Sequence, residues 1–157
     1  GHIYSHEYPF WFIDHELDDI ARMIGRFTFV DVETNHTAMR QPVTIRLREL
    51  NFWTCYFDAM TVERVTKARA IIDSPDFESP EWLKEVLRNQ HQAVVARSMF
   101  LHHQIRENAD QIEHSRGDKS PPDPGYLRLK WQAEKKLAVV YRELKQRAAA
   151  CRSLPAF

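Results

Sequence analysis

The sequence is poor in glycine, in cysteine and in long apolar runs. It contains only four glycines and two cysteines in 157 residues. So few glycines leave no glycine-rich loop of the kind that binds phosphate groups. Cys55 and Cys151 lie far apart within helical patterns, which argues against a disulfide framework and indicates two buried thiols. Since no apolar run approaches the length that crosses a bilayer, we expect a cytoplasmic protein with no membrane contact.

Net charge is also lacking, because 22 basic residues balance 22 acidic ones. The charges are nevertheless segregated along the chain. Residues 1–36 carry two basic and seven acidic side chains, whereas residues 126–157 carry eight basic and two acidic ones. Segregation allows a neutral protein to present one basic face to a polyanion, although solvated helix faces explain the same pattern. Nucleic acid therefore stays open as a partner.

The apolar fraction of 43% is enough for one domain spanning residues 1–157 with a hydrophobic core. Its first part, residues 1–39, is predicted to hold a helix from Asp14 to about Ile24 and then a strand in RFTFVDVE. The helix is predicted to place one apolar face inward, formed by Ile13, Leu17, Ile20, Ala21 and Ile24. Its charged residues are predicted to face solvent: Glu16, Asp18, Asp19 and Arg22.

Residues 40–72 open as a strand and then turn helical. Val43, Ile45 and Leu47 alternate with polar residues, which is the period of a strand with one apolar face. Such a strand must pair, either with RFTFVDVE of its own chain or with a second copy of itself. A helix from Leu50 to Met60 is predicted to follow. Thr61 is then predicted to cap a second helix, with Val65, Ala68 and Ile72 inside and Arg64, Lys67 and Arg69 elsewhere.

The sequence pattern of residues 80–153 predicts a long antiparallel helical hairpin. From Trp82 to about His114 there is neither glycine nor proline, and apolar residues recur at three-four spacing. The predicted inner stripe consists of Leu83, Leu87, His91, Val94, Ser98, Leu101, Ile105 and Ile112. SRGDKSPPDPG is predicted to form a loop, and a second long helix then runs from Leu127 to about Ser153.

The strand VTIRL followed by two short helices resembles the ribbon-helix-helix DNA-binding superfamily, over residues 40–72 only. In that family two copies pair their strands into a ribbon that enters the major groove. The resemblance implies that Thr44 and Arg46 face the bases, with Arg40, Arg48 and Thr61 on phosphates. It also implies an accessory regulator of a plasmid or other mobile element. An arginine on such a ribbon can pair with guanine N7 and O6.

These patterns together predict a mainly α protein with a short β-ribbon, in which the ribbon-helix-helix-like segment precedes the helical hairpin. The function that follows is a dimeric, sequence-specific transcriptional regulator of duplex DNA, whose binding weakens as salt rises. One alternative is a helical protein-interaction or scaffold module, with a protein partner on the hairpin and no nucleic acid.

A third hypothesis is a metal-binding helical bundle, suggested by the spacing of His103 with Glu107 and of Asp110 with His114. His103 and Glu107 lie off the apolar stripe, however, which predicts solvent-facing ion pairs rather than ligands. Aromatic residues surround Cys55, and desolvation there leaves a thiol inert. We therefore expect no enzyme, no cofactor, no metal and no catalytic residue.

Overall fold

The computed structural model describes residues 7–8, 10–28, 30, 48–116 and 120–152. These residues form six α-helices: α1 (Phe10–Met23), α2 (Leu50–Ala59), α3 (Thr61–Ile72), α4 (Glu81–Glu107), α5 (Ala109–Arg116) and α6 (Pro124–Arg152). The chain divides into two compact units, residues 1–119 with α1 to α5 and residues 120–157 with α6. Within the described part of the chain, no helix combines the length and apolar content that crossing a bilayer requires.

The prediction of a mainly α protein is confirmed, but the prediction of a short β-ribbon is wrong. No strand or sheet occurs among the described residues. Of the first predicted strand, Arg26, Phe27, Thr28 and Val30 are described, and none is in a strand. Phe27 contacts a helix instead, since the Arg22 guanidinium of α1 lies 3.5 Å from the centre of the Phe27 ring. The second predicted strand, residues 43–47, lies outside the described residues.

Helix α1 begins at Phe10, four residues before the predicted start, so that Asp14 is exposed within the helix and does not cap it. Gly25 terminates the helix as predicted, two residues after Met23, and its φ of 66° is the left-handed conformation that glycine adopts without strain. There the amide of Arg26 donates to the carbonyl of Ala21 at 2.8 Å. The amide of Gly25 donates to the carbonyl of Arg22 at 3.1 Å, which completes a Schellman motif.

The buried face of α1 is displaced by one sequence position from the predicted face. Phe12, Glu16, Asp19 and Met23 are buried, and the predicted inward residues Ile13, Leu17, Ile20, Ala21 and Ile24 are half-buried. A shift of one residue rotates a helix by about 100°. The prediction that Glu16 and Asp19 face solvent is therefore wrong, and both carboxylates need partners inside the protein.

Helices α2 and α3 are separated at Met60 without a glycine, and both were predicted close to their observed bounds. Glu49, before α2, adopts a left-handed φ of 55°. The first amide of α2, on Leu50, donates to the Glu113 carboxylate of α5 at 2.6 Å. An acidic group at a helix N-terminus complements the helix dipole, so α5 is attached to the start of α2.

The predicted long helix from Trp82 to about His114 is interrupted once. Helix α4 ends at Glu107, and Asn108 leaves the helical conformation with φ −109°. The Asn108 side-chain amide donates to the carbonyl of Gln104 at 2.8 Å. An asparagine side chain that bonds to the backbone competes with the continuing helix, which explains the separate α5.

Helix α6, in the second unit, starts three residues before the predicted Leu127. Its first turn holds Pro124 and Gly125, which were assigned to the preceding loop. Proline is favoured at the first helical position because its missing N–H would have no partner there. The Asp123 carboxylate accepts a hydrogen bond from the Tyr126 amide at 2.9 Å and caps the helix.

The core of the first unit lies where α1, α2, α3 and α4 pack together, and it is rich in aromatic rings. Its fully buried side chains include Phe12, Trp53, Tyr56 and Phe57. A smaller cluster of Ile72, Phe77 and Leu87 joins the end of α3 to the start of α4. Cys55 is a free, half-buried thiol.

Candidate functional site

Polar side chains on the buried face of α4 fix the rotation of the helix about its own axis. The Ser98 hydroxyl donates to Asp19 Oδ2 at 2.9 Å, which ties α4 to α1. His102 Nδ1 and Arg106 Nη1 each lie 2.7 Å from an oxygen of Asp58 on α2. These bonds have specific partners, so α4 cannot turn about its axis without breaking them.

The centre of this network is a buried ion pair between Arg64 and Asp19. Arg64 Nε donates to Asp19 Oδ2 at 3.2 Å, and the Arg64 side chain is 2% exposed. The other guanidinium nitrogens donate to the Phe57 carbonyl and to Thr61 Oγ1, and the Arg64 Cζ lies 3.6 Å from the centre of the Phe57 ring. Arg64 was predicted outside the inner stripe of its helix, and that prediction is wrong.

Burial changes the acidity of the groups around Arg64. Desolvation raises the pKa of Asp19, and the charge of Arg64 opposes that rise. Desolvation also raises the pKa of the Tyr8 hydroxyl, again against the opposing charge of Arg64. Arg64 therefore compensates the one carboxylate that α1 places deepest in the core.

A second chain of polar contacts runs from Asp58 through His102 to His15. His102 Nε2 lies 3.2 Å from His15 Nδ1, and the two imidazole planes are within 10° of parallel. An ionised carboxylate only accepts, so His102 Nδ1 donates to Asp58. The contact between His102 Nε2 and His15 Nδ1 needs one donor and one acceptor, and it joins His15 to this pair.

A cleft of about 220 Å³ lies beside His15 and His102, between α1 and α4. His15, Asp18, Arg97 and Leu101 line it together with the network residues. Its charged groups are paired with one another, since Asp18 Oδ2 accepts from both Arg22 and Arg97 at 2.9 Å. Paired groups of this kind stabilise the packing of α1 on α4, and the cleft does not present an activated nucleophile.

Metal binding finds no support in the described ranges. They contain no group of three or more histidine, cysteine, aspartate or glutamate side chains that could hold a metal ion. His103 and Glu107, considered as ligands, form an exposed ion pair at 3.2 Å, as their position off the apolar stripe predicts.

The stability of the protein is expected to fall as pH drops below about 6.5, the ordinary pKa of histidine. Desolvation lowers the pKa of His15, and the neighbouring His102 lowers it further. The unfolded chain therefore binds a proton at His15 before the folded chain does, and this difference removes stability as pH falls. Urea unfolding between pH 8 and pH 5 measures it.

The variant His15→Gln is expected to show a shallower loss of stability over the same pH range. Some loss remains in that variant, because desolvation also lowers the pKa of His91. His103→Gln, on the exposed side of α4, is the matched control and should keep the wild-type profile. An unchanged profile in His15→Gln would show that His15 does not contribute.

The opposite side of α4 carries a row of exposed residues with little charge. They recur at spacings of four and three residues, as do the core positions of a coiled coil: Trp82, Val86, Asn89, Ala93, Ala96 and Phe100. We call this row the α4 outer seam. Trp82 is 66% exposed, Val86 50% and Phe100 61%. The spacing is visible in the sequence, but the stronger inner stripe of the same helix concealed it.

The residues predicted to bind DNA are only partly within the described structure. Arg40, Thr44 and Arg46 lie outside it. Arg48 is half-buried, two residues before the start of α2. The Thr61 hydroxyl donates to the Asp58 carbonyl at 2.6 Å and accepts from Arg64, so its contacts are within the protein. DNA binding by these residues therefore stays a prediction.

Comparison with known proteins gives this site no precedent. No family model, no curated protein and no solved structure matches the chain.

Proposed function

We propose that this chain is a helical protein-interaction module, and that its docking element is the α4 outer seam. The observation that supports this proposal is the exposure of Trp82 and Phe100 on one face of one helix. Single exposed apolar residues are ordinary on a protein surface, whereas several of them in a row along one helix face are typical of an interface. The seam from Trp82 to Phe100 is roughly 27 Å long at 1.5 Å per residue.

The occupant that best fits the seam is α4 of a second copy, in the antiparallel direction. A two-fold axis near residue 91 places Trp82 against the partner's Phe100, because the two residues lie nine positions on either side of it. Val86 then faces the partner's Ala96, and Asn89 faces the partner's Ala93. Large side chains therefore meet at the two ends, and small ones allow close approach in the middle.

Asn89 gives this pairing a register. A single polar residue among apolar core positions favours the arrangement that satisfies its amide and disfavours shifted alternatives. In the proposed dimer, both copies of Asn89 lie within one helical turn of the axis. A homodimer was also predicted from the sequence, but through paired strands; the present proposal uses a helix.

Sedimentation equilibrium over a concentration series tests the proposal directly. We expect a reversible monomer–dimer equilibrium in the wild-type chain. Trp82→Ala and Phe100→Ala are each expected to raise the dimer dissociation constant at least roughly tenfold, because buried aromatic side chains carry most of the energy of an interface. Circular dichroism should show unchanged helix content, since both side chains are exposed in the single chain.

Trp131→Ala is the matched control, because Trp131 is also an exposed tryptophan on a long helix but lies in α6. It should leave the dissociation constant unchanged. The register is tested by mixing Val86→Cys and Ala96→Cys chains, which should form a disulfide across the seam. A wild-type chain that stays monomeric at the highest attainable concentration would refute the proposal, and so would equal effects of Trp82→Ala and Trp131→Ala.

The DNA-binding regulator and the antiparallel packing of the two long helices stay predictions from the sequence. The excess of basic residues in α6 is the feature that still favours nucleic acid.

A further inference from the structure

The exposed side of α6 carries basic residues at seven-residue intervals: Arg128, Lys135 and Arg142. We call these three residues the α6 basic row. Seven residues turn an α-helix to within about 20° of two full turns, so the three side chains leave the helix within about 40° of one direction. The row is about 21 Å long at 1.5 Å per residue. Ala133 and Leu137 are buried and lie about 160° around the helix from Lys135, so the row faces away from the buried side of α6.

No carboxylate interrupts the α6 basic row. The two acidic residues of the helix, Glu134 and Glu143, project about 80–100° to either side of it. Glu134 lies 3.9 Å from the ammonium of Lys130, on the flank of the helix. Arg128 and Arg142 form no ion pair among the described residues. A helix face that serves only to be solvated usually mixes both signs of charge, whereas this face has one sign.

The positive charge of the chain is concentrated in this helix. Eight basic and two acidic residues give α6 a net charge of plus six, whereas the whole chain has a net charge of zero. Residues 141–149 are exposed on every side of the helix. A short helix without packing partners is only marginally stable in water. A binding partner that covers this part of α6 would stabilise it, and the charge of the helix favours an anionic partner.

We propose that the α6 basic row binds the phosphate backbone of a nucleic-acid duplex, independently of base sequence. A duplex carries one phosphate per about 1.7 Å of its axis, so a straight row of about 21 Å meets several phosphates in any sequence. Arginine and lysine contacts to phosphate supply affinity but do not read bases. The Lys135 ammonium lies 3.5 Å from the centre of the Trp131 ring, and this contact holds it on the exposed face.

Other anionic partners fit the row less well. A helix that lies on a membrane surface buries an apolar face among the lipids, whereas the centre of the exposed face of α6 is charged. An acidic peptide would have to place its carboxylates at intervals of about 10 Å along a straight line, because seven helical residues rise by that distance. A duplex has closely spaced phosphates along its whole length and meets this requirement without a special sequence.

Fluorescence anisotropy of a labelled DNA duplex of about 20 base pairs, titrated with the full-length chain at several salt concentrations, tests the proposal. Three phosphate contacts predict a slope of about −2.7 when the logarithm of the association constant is plotted against that of the salt concentration. The affinity should therefore fall roughly fortyfold between about 50 mM and about 200 mM salt. Two duplexes of unrelated sequence should bind with equal affinity.

Variants of single arginines locate the contact. Arg142→Gln should make the salt slope shallower by about 0.9, the contribution of one phosphate contact. Arg142→Lys keeps the charge and should keep the wild-type slope. Arg147→Gln is the matched control, because Arg147 is also an exposed arginine of α6 but lies about 140° around the helix from Arg142. It should keep the wild-type slope as well. Circular dichroism should show unchanged helix content, since both side chains are exposed.

Absence of duplex binding at about 50 mM salt would overturn the proposal. Equal reductions of the slope in Arg142→Gln and Arg147→Gln would overturn it too, because the total charge of α6 would then act rather than the row. Binding to phosphatidylserine vesicles without binding to the duplex would assign the row to a membrane surface and would also refute the proposal. Duplex binding by Trp82→Ala at a concentration where that variant is monomeric keeps the proposal independent of dimer formation.

Discussion

The variant Arg64→Met is expected to lower the free energy of unfolding by about 3–5 kcal/mol at pH 7. Methionine keeps much of the volume of the arginine but removes its charge and its hydrogen bonds. Asp19 is then left ionised inside the protein with only the Ser98 hydroxyl as a described partner. An uncompensated buried charge is far more unfavourable than the loss of an exposed ion pair. Urea unfolding followed by circular dichroism measures the difference.

The loss should shrink as pH falls, since protonation of Asp19 removes the uncompensated charge. The double variant Asp19→Asn with Arg64→Met should recover a large part of the stability, and the resulting double-mutant cycle isolates the coupling of the two side chains. Arg97→Met is the matched control, because Arg97 pairs with Asp18 near the surface. Its expected loss is at most about 1 kcal/mol. Equal losses in Arg64→Met and Arg97→Met would contradict the role assigned to the buried pair.

The positions of Arg64 and Asp19 also show where prediction from the sequence fails. Hydropathy places a charged residue at the surface, because a single charge is unfavourable in the core. It does not detect that two opposite charges from α1 and α3, 45 residues apart, neutralise each other inside the protein. Glu16 is buried as well, and it pairs at 2.8 Å with Lys67, whose side chain is 40% exposed. The face of α1 was therefore predicted one residue away from its observed position.

The helices whose inner residues follow three-four spacing were predicted more accurately. Leu87, His91 and Ser98 of the predicted inner stripe of α4 are buried, and α2 and α3 begin within a residue of their predicted starts. The strand predicted in RFTFVDVE was based on its β-branched and aromatic residues, whose preference for strands depends on their packing context. None of its described residues, 26–28 and 30, is in a strand. In the folded chain, Arg26 instead closes α1 and lies over the Phe77 ring.

The ion-pair network was not predictable as a site. His91 was assigned to the inner stripe, but the lack of a hydrogen-bond partner for its ring nitrogens among the described residues depends on the packing of α3 and α1 around it. The pairing of His15 with His102 joins residues 87 positions apart in the sequence. Contacts at such separations follow from the tertiary arrangement and leave no local pattern.

Phe57 is the side chain on which the two buried networks converge. It is completely buried, and the Arg64 guanidinium stacks on its ring. Its ring centre lies 4.8 Å from that of His102 and 6.2 Å from that of His15. Two more rings contact it: that of Tyr8, which precedes α1, and that of Phe12, in α1. A single ring thus packs against residues of both networks.

The variant Phe57→Ala is therefore expected to lower the free energy of unfolding by about 3–5 kcal/mol, the range found when a buried phenylalanine is truncated. Water that enters the space should also lessen the desolvation of His15, so its pKa should rise toward the ordinary histidine value, as an NMR pH titration would show. Phe100→Ala is the same chemical change at an exposed position. Measured at a concentration where the chain is monomeric, it should alter stability by no more than about 0.5 kcal/mol. If Phe57→Ala lowered the free energy of unfolding as little as Phe100→Ala does, Phe57 would not stabilise the core as argued.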